Sequence, residues 1–309
     1  MNILAIGEFL IDLTQVGVNE NDVPLYAANP GGAPANVAVA ASRLGAQTGF
    51  IGAVGNDSFG RYLQKVLREN GVNAEGLLTV SDPTTLAVVS VTEEGERDFR
   101  FMRGADAQLT QEQVSAQQIA EAQVLHFGSV SLTAEPERSA TLRAVEYAKQ
   151  QGILVSYDPN YRQPLWQSEE EAKKWMRHPL EQVDIIKLSD EEMELLTDCT
   201  TPEECSKVLT EKGIRLVLIT LGAKGVFYSF EGKTGLVPGV KTTIADTNGA
   251  GDTFLGALLC CLTKKRNRPL DDLSCEKLEE MLAYANRAAA LTCSRSGAIP
   301  AMPYQNEMD

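Results

Sequence analysis

The apolar residues of this chain switch repeatedly between a period of two and a period of 3.6. That alternation limits what the chain can fold into more than any other feature. Short apolar runs at 2–7, 48–54, 124–127, 153–157, 183–188 and 214–220 suit buried strands. Helical patterns lie among them at 33–44, 59–70, 135–150, 169–177, 190–197, 202–212, 251–263 and 276–293. Strands alternating with helices of this length imply right-handed crossovers and a mainly parallel sheet covered on both faces. The expected fold class is α/β.

Two stretches break the rhythm. Residues 10–18, and the pair 86–92 and 97–103, alternate apolar and polar, and the pair flanks Glu93-Glu94-Gly95-Glu96, which reads as a hairpin turn. Strands wet on one face predict a small separate sheet. It is either a hinged lid over a cleft or an edge meander, and pattern alone leaves both open.

Composition narrows the function. With 28 Lys and Arg against 42 Asp and Glu, the net charge of −14 argues against nucleic acid, which needs a basic face. A small anion remains open, because backbone N–H groups bind one whatever the global charge. No stretch approaches the ~20 apolar residues of a membrane span, and the opening Met1-Asn2-Ile3-Leu4-Ala5-Ile6-Gly7 meets Glu8 too soon for a signal peptide. Six cysteines without a CxxC pair read as free thiols of a reducing compartment. A cytoplasmic protein is expected. Two histidines offer no basis for a His-rich metal site.

The most informative string is Asp246-Thr247-Asn248-Gly249-Ala250-Gly251-Asp252-Thr253-Phe254, which runs straight into a helix of small and apolar residues. Small residues at 249–251 let consecutive N–H groups face one point, where the helix dipole also favours negative charge. Asp252 falls in the first turn beside that point. A lone acid there is usually a cap, but two Asp bracketing an Asn-Gly-Ala-Gly loop exceed what a cap requires. GxGxxG fails, since Phe254 follows where a third small residue belongs. The P-loop fails because Thr234 stands where a glycine is needed before 239–242, and GxSxG is absent.

A second glycine turn, Pro30-Gly31-Gly32-Ala33-Pro34-Ala35-Asn36, enters the first helix with Pro34 in its opening turn. Asn36 is a poor interior helix residue; its amide serves either a ligand hydroxyl or the backbone. Asp12, an acid amid apolar neighbours, has either a partner or a job. Ser189-Asp190-Glu191-Glu192 fits a capping box, and 220–225 reads as a tight turn between strands.

In this order the segments resemble the PfkB/ribokinase family of carbohydrate kinases over nearly the whole chain, through 31–38 with Asn36 and 246–254 with its Gly-Ala-Gly-Asp core. Within it, Tyr157-Asp158-Pro159-Asn160-Tyr161-Arg162 followed by Pro164-Leu165-Trp166 is similar to the fructokinase branch. Aminoimidazole riboside kinases and 2-keto-3-deoxygluconate kinases share several such strings. The resemblance implies a ribokinase-like, doubly wound sheet in a single kinase domain over 1–309, with a lid at about 10–30 and 85–105. It implies ATP, Mg²⁺ and a sugar, D-fructose being favoured, and a homodimer through the lid.

Residue by residue, Asp252 matches the base that takes the sugar hydroxyl proton, and Gly249, Ala250 and Gly251 match the anion hole. Asp12, Gly32 and Asn36 match sugar ligands, Phe101 and Arg103 fall where the lid approaches the sugar, and Arg162 matches an active-site arginine. Lys187, Ser189, Thr220, Gly222, Gly225 and Asn286 fall to ATP. The family's N-x-x-E motif, linked to magnesium and phosphate, aligns with 189–192. Ser189 replaces its Asn, so the Mg²⁺ role, through water, carries over to Glu192. Asp246, Asn248, Cys293 and Gly297 match a cage for a monovalent cation, K⁺, built of backbone oxygens except for the Asp246 carboxylate. A non-catalytic sugar or nucleoside sensor on the same fold would show loss of the base or anion hole, and both are intact.

Overall fold

The computed structural model describes residues 1–91, 97–264 and 269–308. Its strands are β1 (Ile3–Ile6), β2 (Leu10–Val18), β3 (Pro24–Gly31), β4 (Thr48–Gly55), β5 (Asn73–Val80), β6 (Leu86–Val91), β7 (Arg97–Met102), β8 (Val124–Gly128), β9 (Leu154–Asp158), β10 (Ile185–Ser189), β11 (Leu216–Thr220), β12 (Gly225–Phe230) and β13 (Lys233–Pro238). The α-helices are α1 (Ala33–Arg43), α2 (Ser58–Glu69), α3 (Ala116–Ala120), α4 (Glu137–Gln150), α5 (Glu169–Arg177), α6 (Met193–Thr197), α7 (Pro202–Glu211), α8 (Ala250–Thr263) and α9 (Cys275–Cys293).

Nine strands make one sheet in the order β13-β12-β11-β10-β9-β8-β1-β4-β5. From β11 to β5 every pairing is parallel, while β12 and β13 add an antiparallel edge. The inner parallel strands, β1, β4 and β8 to β11, are buried and mainly apolar because both faces are covered. Leu4 and Ile6 of β1 join a core with Ala144 of α4 and Leu209 of α7, whereas Ile3 packs with Val37 of α1, Leu255 of α8 and Leu282 of α9. The doubly wound α/β expectation holds.

β5 and β13 have no apolar run to announce them, since edge strands bury little; only Leu77 of β5 is buried. β3 opens on a proline, tolerable because its first turns are exposed. The helix expected over 190–197 divides into a short 3₁₀ turn and α6.

The small sheet runs β3-β2-β6-β7. Its outer pairs are antiparallel and β2–β6 is parallel, so it is mixed. The hairpin turn expected at 93–96 lies outside the described residues.

One glycine sets the geometry of the cleft. A Cβ on Gly256 of α8 would sit 2.8 Å from the Val37 carbonyl and 2.8 Å from the Ala40 Cβ, so α8 lies directly against α1. These helices carry Asp252 and Asn36.

Candidate active site

A cleft of about 710 Å³ lies between the small sheet and the ends of β1, β9 and β10, with the start of α8 as its floor. Sheet register puts the roof residues in a row. Asp12 pairs with Asn29 on one side and Ala87 on the other, and Ala87 pairs with Phe101. Residues paired directly across strands point to the same face, and Asn29, Asp12 and Phe101 all line the cleft. Gly31 makes room for the Asp12 carboxylate, which lies 2.1 Å from where a Cβ would stand. Burial pushes Asp12 up to about 6, against the opposing pull of Arg162.

On the floor, Gly249 takes the left-handed conformation at φ 73° and starts α8. Gly249 and Gly251 line the cleft. Ala250 does not, and its N–H donates to the Thr247 carbonyl at 3.3 Å. Asp252 is only 7% exposed. Asn36 Nδ2 donates to its Oδ2 at 2.8 Å and Asn160 Nδ2 to its Oδ1 at 3.4 Å. Burial and the nearby Asp158 charge raise Asp252 to about 6, while Asn36, Lys187 and Arg162 pull the other way. Behind Gly251 the Lys187 ammonium, in a buried pair with Asp158 at 2.9 Å, lies 2.9 Å from a would-be Cβ. Its neighbours Asp158 and Glu192 hold it charged despite burial. Small backbone, a fixed cation and a buried carboxylate thus face the same space. Such a set suits an anion bound next to a hydroxyl losing its proton.

Gly32, Asn36 and Arg162 also line the cleft. Asn36, expected on a sugar hydroxyl, spends its amide N–H on Asp252 and leaves its Oδ1 buried without a partner. Arg103 corrects its expectation. It does not line the cleft; its guanidinium lies 2.9 Å from Asp106 and 2.7 Å from Glu137, and also donates to Thr133. No local pattern signals this, because Glu137 is brought there by α4, which follows β8 in the chain.

Glu192 is held in a similar way. It lies outside the cleft, and both its oxygens accept hydrogen bonds: Oε1 from Tyr161 N–H at 2.7 Å, Oε2 from Ser189 N–H at 2.8 Å and its hydroxyl at 3.1 Å. The capping box is formed, and it leaves one lone pair of Oε1 for a metal-bound water. Among the expected nucleotide residues, Asn286 Nδ2 donates to the carbonyls of Val237 and Pro238 at 3.2 and 3.0 Å. Thr220 Oγ1 donates to Leu188 O at 3.3 Å, and a Cβ on Gly225 would meet the Val237 carbonyl at 2.1 Å. Thr220, Gly222, Gly225 and Asn286 gather around the ends of β11 to β13, beyond the cleft.

The cation segments meet, but through N–H groups. Asp246 Oδ1 accepts from Asn248 N–H and Oδ2 from Gly297 N–H, each at 3.0 Å. The Cys293 carbonyl accepts from both Ala245 and Asp246, which uses its two lone pairs.

Three cleft residues escaped sequence reasoning. Asn29 enters by strand register alone. Glu8, an acid in an apolar run, holds the start of α1 by accepting Ala33 N–H at 2.9 Å, and burial raises it to about 7. Asn160 has a left-handed φ of 46°, a conformation Asn tolerates, and its place between Pro159 and Tyr161 was the available signal.

The pfkB family carbohydrate kinase sequence model matches residues 1–305. Probable fructokinase-4 of Arabidopsis thaliana is 43% identical, the match covering 99% of this chain and 95% of the relative. A crystal structure of Xylella fastidiosa fructokinase with bound ATP superposes with a TM-score of 0.91 at 31% identity, over 99% of this chain and 96% of that one. A Vibrio cholerae O395 fructokinase double mutant, with fructose, ADP and potassium ion bound, superposes at 0.87 and 31% identity, over 100% and 97%. A match from end to end at this identity, on a cleft floored by the Gly-Ala-Gly-Asp turn, makes the chain a member of the pfkB family of carbohydrate kinases.

Proposed function

We propose that this chain transfers the γ-phosphoryl group of ATP to the 6-hydroxyl of D-fructose. The observation that carries the reading is Asp252, buried in the first turn of α8 beside Gly249 and Gly251, in a cleft roofed by Asp12 and Phe101. The fructokinase names of the relatives support the acceptor.

In the step, the sugar oxygen attacks the γ-phosphorus in line and the bond to the bridging oxygen breaks. ADP leaves, and the hydroxyl proton passes to Asp252. Transfer of this kind needs positioning and charge neutralisation more than covalent chemistry. Asp12 orients the sugar from the roof, while the start of α8 and the Lys187 ammonium face the spreading negative charge. Arg162, exposed at the cleft wall, meets phosphate or a carboxylate more plausibly than a neutral hexose. Closing the small sheet over the sugar excludes water as a competing acceptor.

Mg²⁺, when bound, supplies neutralisation of phosphate charge. Such an ion is carried chiefly by the substrate phosphates and water, with one or two carboxylates from the protein. For K⁺ the fit is partial. Asp246 retains a lone pair on each oxygen and is a hard donor, whereas the Cys293 carbonyl is already used. K⁺ enters the proposal as an activator, with no step assigned.

The chain pairs with a second copy through the exposed apolar residues of the small sheet, Val16, Val18, Leu25 and Tyr26 among them. Its six free cysteines suit the cytoplasm. Among the described residues no helix is long and apolar enough to cross a membrane.

The product tests the reading. ¹³C and ³¹P NMR of a fructose and Mg·ATP incubation should place the new phosphate on C6. Phosphate on C1, or ATP hydrolysis without a sugar phosphate, would contradict it.

A further inference from the structure

We propose that Glu192 is a positioning residue. It staples the segment after β9 to the end of β10, and so sets Asn160 against Asp252 and Arg162 over the cleft. The inference rests on the kinase reading above and departs from the metal role that the family motif implied.

Strand pairing does not hold this segment. The β9–β10 ladder ends at Ile185–Ser156 and Ile186–Tyr157, so beyond Tyr157 the chain has no partner strand on that side. Side chains replace the ladder. Asp158 takes the Lys187 ammonium at 2.9 Å, and Tyr161 N–H donates to Glu192 Oε1 at 2.7 Å. Lys187 lies on β10 and Glu192 in the turn directly after it, so β10 grips both ends of a four-residue stretch. A third tie, Ser129 N–H to the Pro159 carbonyl at 3.0 Å, anchors it to the turn after β8.

Between these ties Asn160 is held at φ 46° with its amide 3.4 Å from Asp252 Oδ1. The conformation is uncommon for a residue with a Cβ and persists where the surroundings fix it. Asn160 and Arg162 line the cleft; Glu192, 7% exposed, does not. A carboxylate offers about four lone-pair sites, and three are engaged here by Tyr161 N–H, Ser189 N–H and the Ser189 hydroxyl. An ion that displaced the Tyr161 N–H from Oε1 would free Tyr161 and with it the loop.

Two measurements separate staple from metal ligand. The first is calorimetric titration of D-fructose into the wild type, Glu192→Gln and Asn160→Ala, with neither nucleotide nor Mg²⁺ present. A side-chain amide in place of the carboxylate forces one N–H against a backbone donor. Glu192→Gln should weaken fructose binding about tenfold, the scale of losing a charge-assisted hydrogen bond, with Asn160→Ala weakening it less. An unchanged fructose Kd in Glu192→Gln overturns the proposal.

The second uses the wild type alone, so it survives a variant that fails to fold. Exchange of the Tyr161 amide hydrogen should be slow and stay as slow when Mg·ATP is added. Marked acceleration would mean that the nucleotide-borne ion takes Glu192 from Tyr161, and would overturn the staple. Wild-type protein that binds no fructose defeats the acceptor assignment instead, leaving amide exchange to decide the Glu192 claim.

Discussion

Asp252 shows what burial does to a catalytic group at the scale of one residue. A carboxylate that accepts from two amides would titrate low in water; excluded from water, and near Asp158, it is raised to about 6. The base must be ionised to take a proton, so kcat/KM should be flat above about pH 6 and fall about tenfold per unit below it. A profile falling only below about pH 4 would show that burial does not raise the base. Asp252→Asn should retain ATP affinity by equilibrium binding while kcat drops roughly 10²–10⁴-fold. Near-normal turnover would reduce Asp252 to a helix cap. Asp12 and Asp252 could be singled out from their local strings and Arg162 from the family resemblance, and all three line the cleft. The ion pair of Arg103 and the second bond of Glu192 were illegible for the opposite reason. Their partners, Glu137 for one and Tyr161 for the other, lie about 30 residues away, and no spacing rule brings such groups together.

At the scale of elements, the contact of α1 with α8 decides whether Asn36 reaches Asp252. Gly256→Ala puts a methyl 2.8 Å from the Val37 carbonyl, and the helices must part. We expect a loss of about 1–3 kcal/mol in chemical denaturation, with a lower kcat as the 2.8 Å Asn36–Asp252 bond lengthens. Unchanged stability and turnover would show the contact to be slack. The loop before α8 carries the cation prediction. Replacing K⁺ by tetramethylammonium at constant ionic strength should lower kcat, and identical kcat and KM would confine Asp246 to its bonds with Asn248 and Gly297. The central strands were readable because strands buried on both faces are mainly apolar. β5 and β13, at the two edges of the large sheet, left no such trace, and β3 was hidden by an exposed first half.

For the whole molecule, the alternation of periods carried the architecture, and the small sheet was visible as strands wet on one face. Its mixed order was not, because the parallel β2–β6 pairing joins segments about 70 residues apart. The small sheet exposes apolar side chains, Val16 at 64% on the cleft side and Tyr26 at 44% on the outer side among them, and these predict self-association. Sedimentation equilibrium should give twice the chain mass of 33.5 kDa, and a Val16→Lys, Tyr26→Lys variant should give that mass once. A wild type that stays at the single-chain mass would leave these side chains without their proposed partner. The acceptor is the central claim. Its most direct test is kcat/KM for ATP-dependent phosphorylation of D-fructose, D-ribose, 2-keto-3-deoxygluconate and aminoimidazole riboside by one preparation. The account predicts D-fructose ahead by about tenfold or more, the scale on which differently placed hydroxyls are discriminated. A higher value for any of the other three, or no sugar phosphate from any of them, would contradict it.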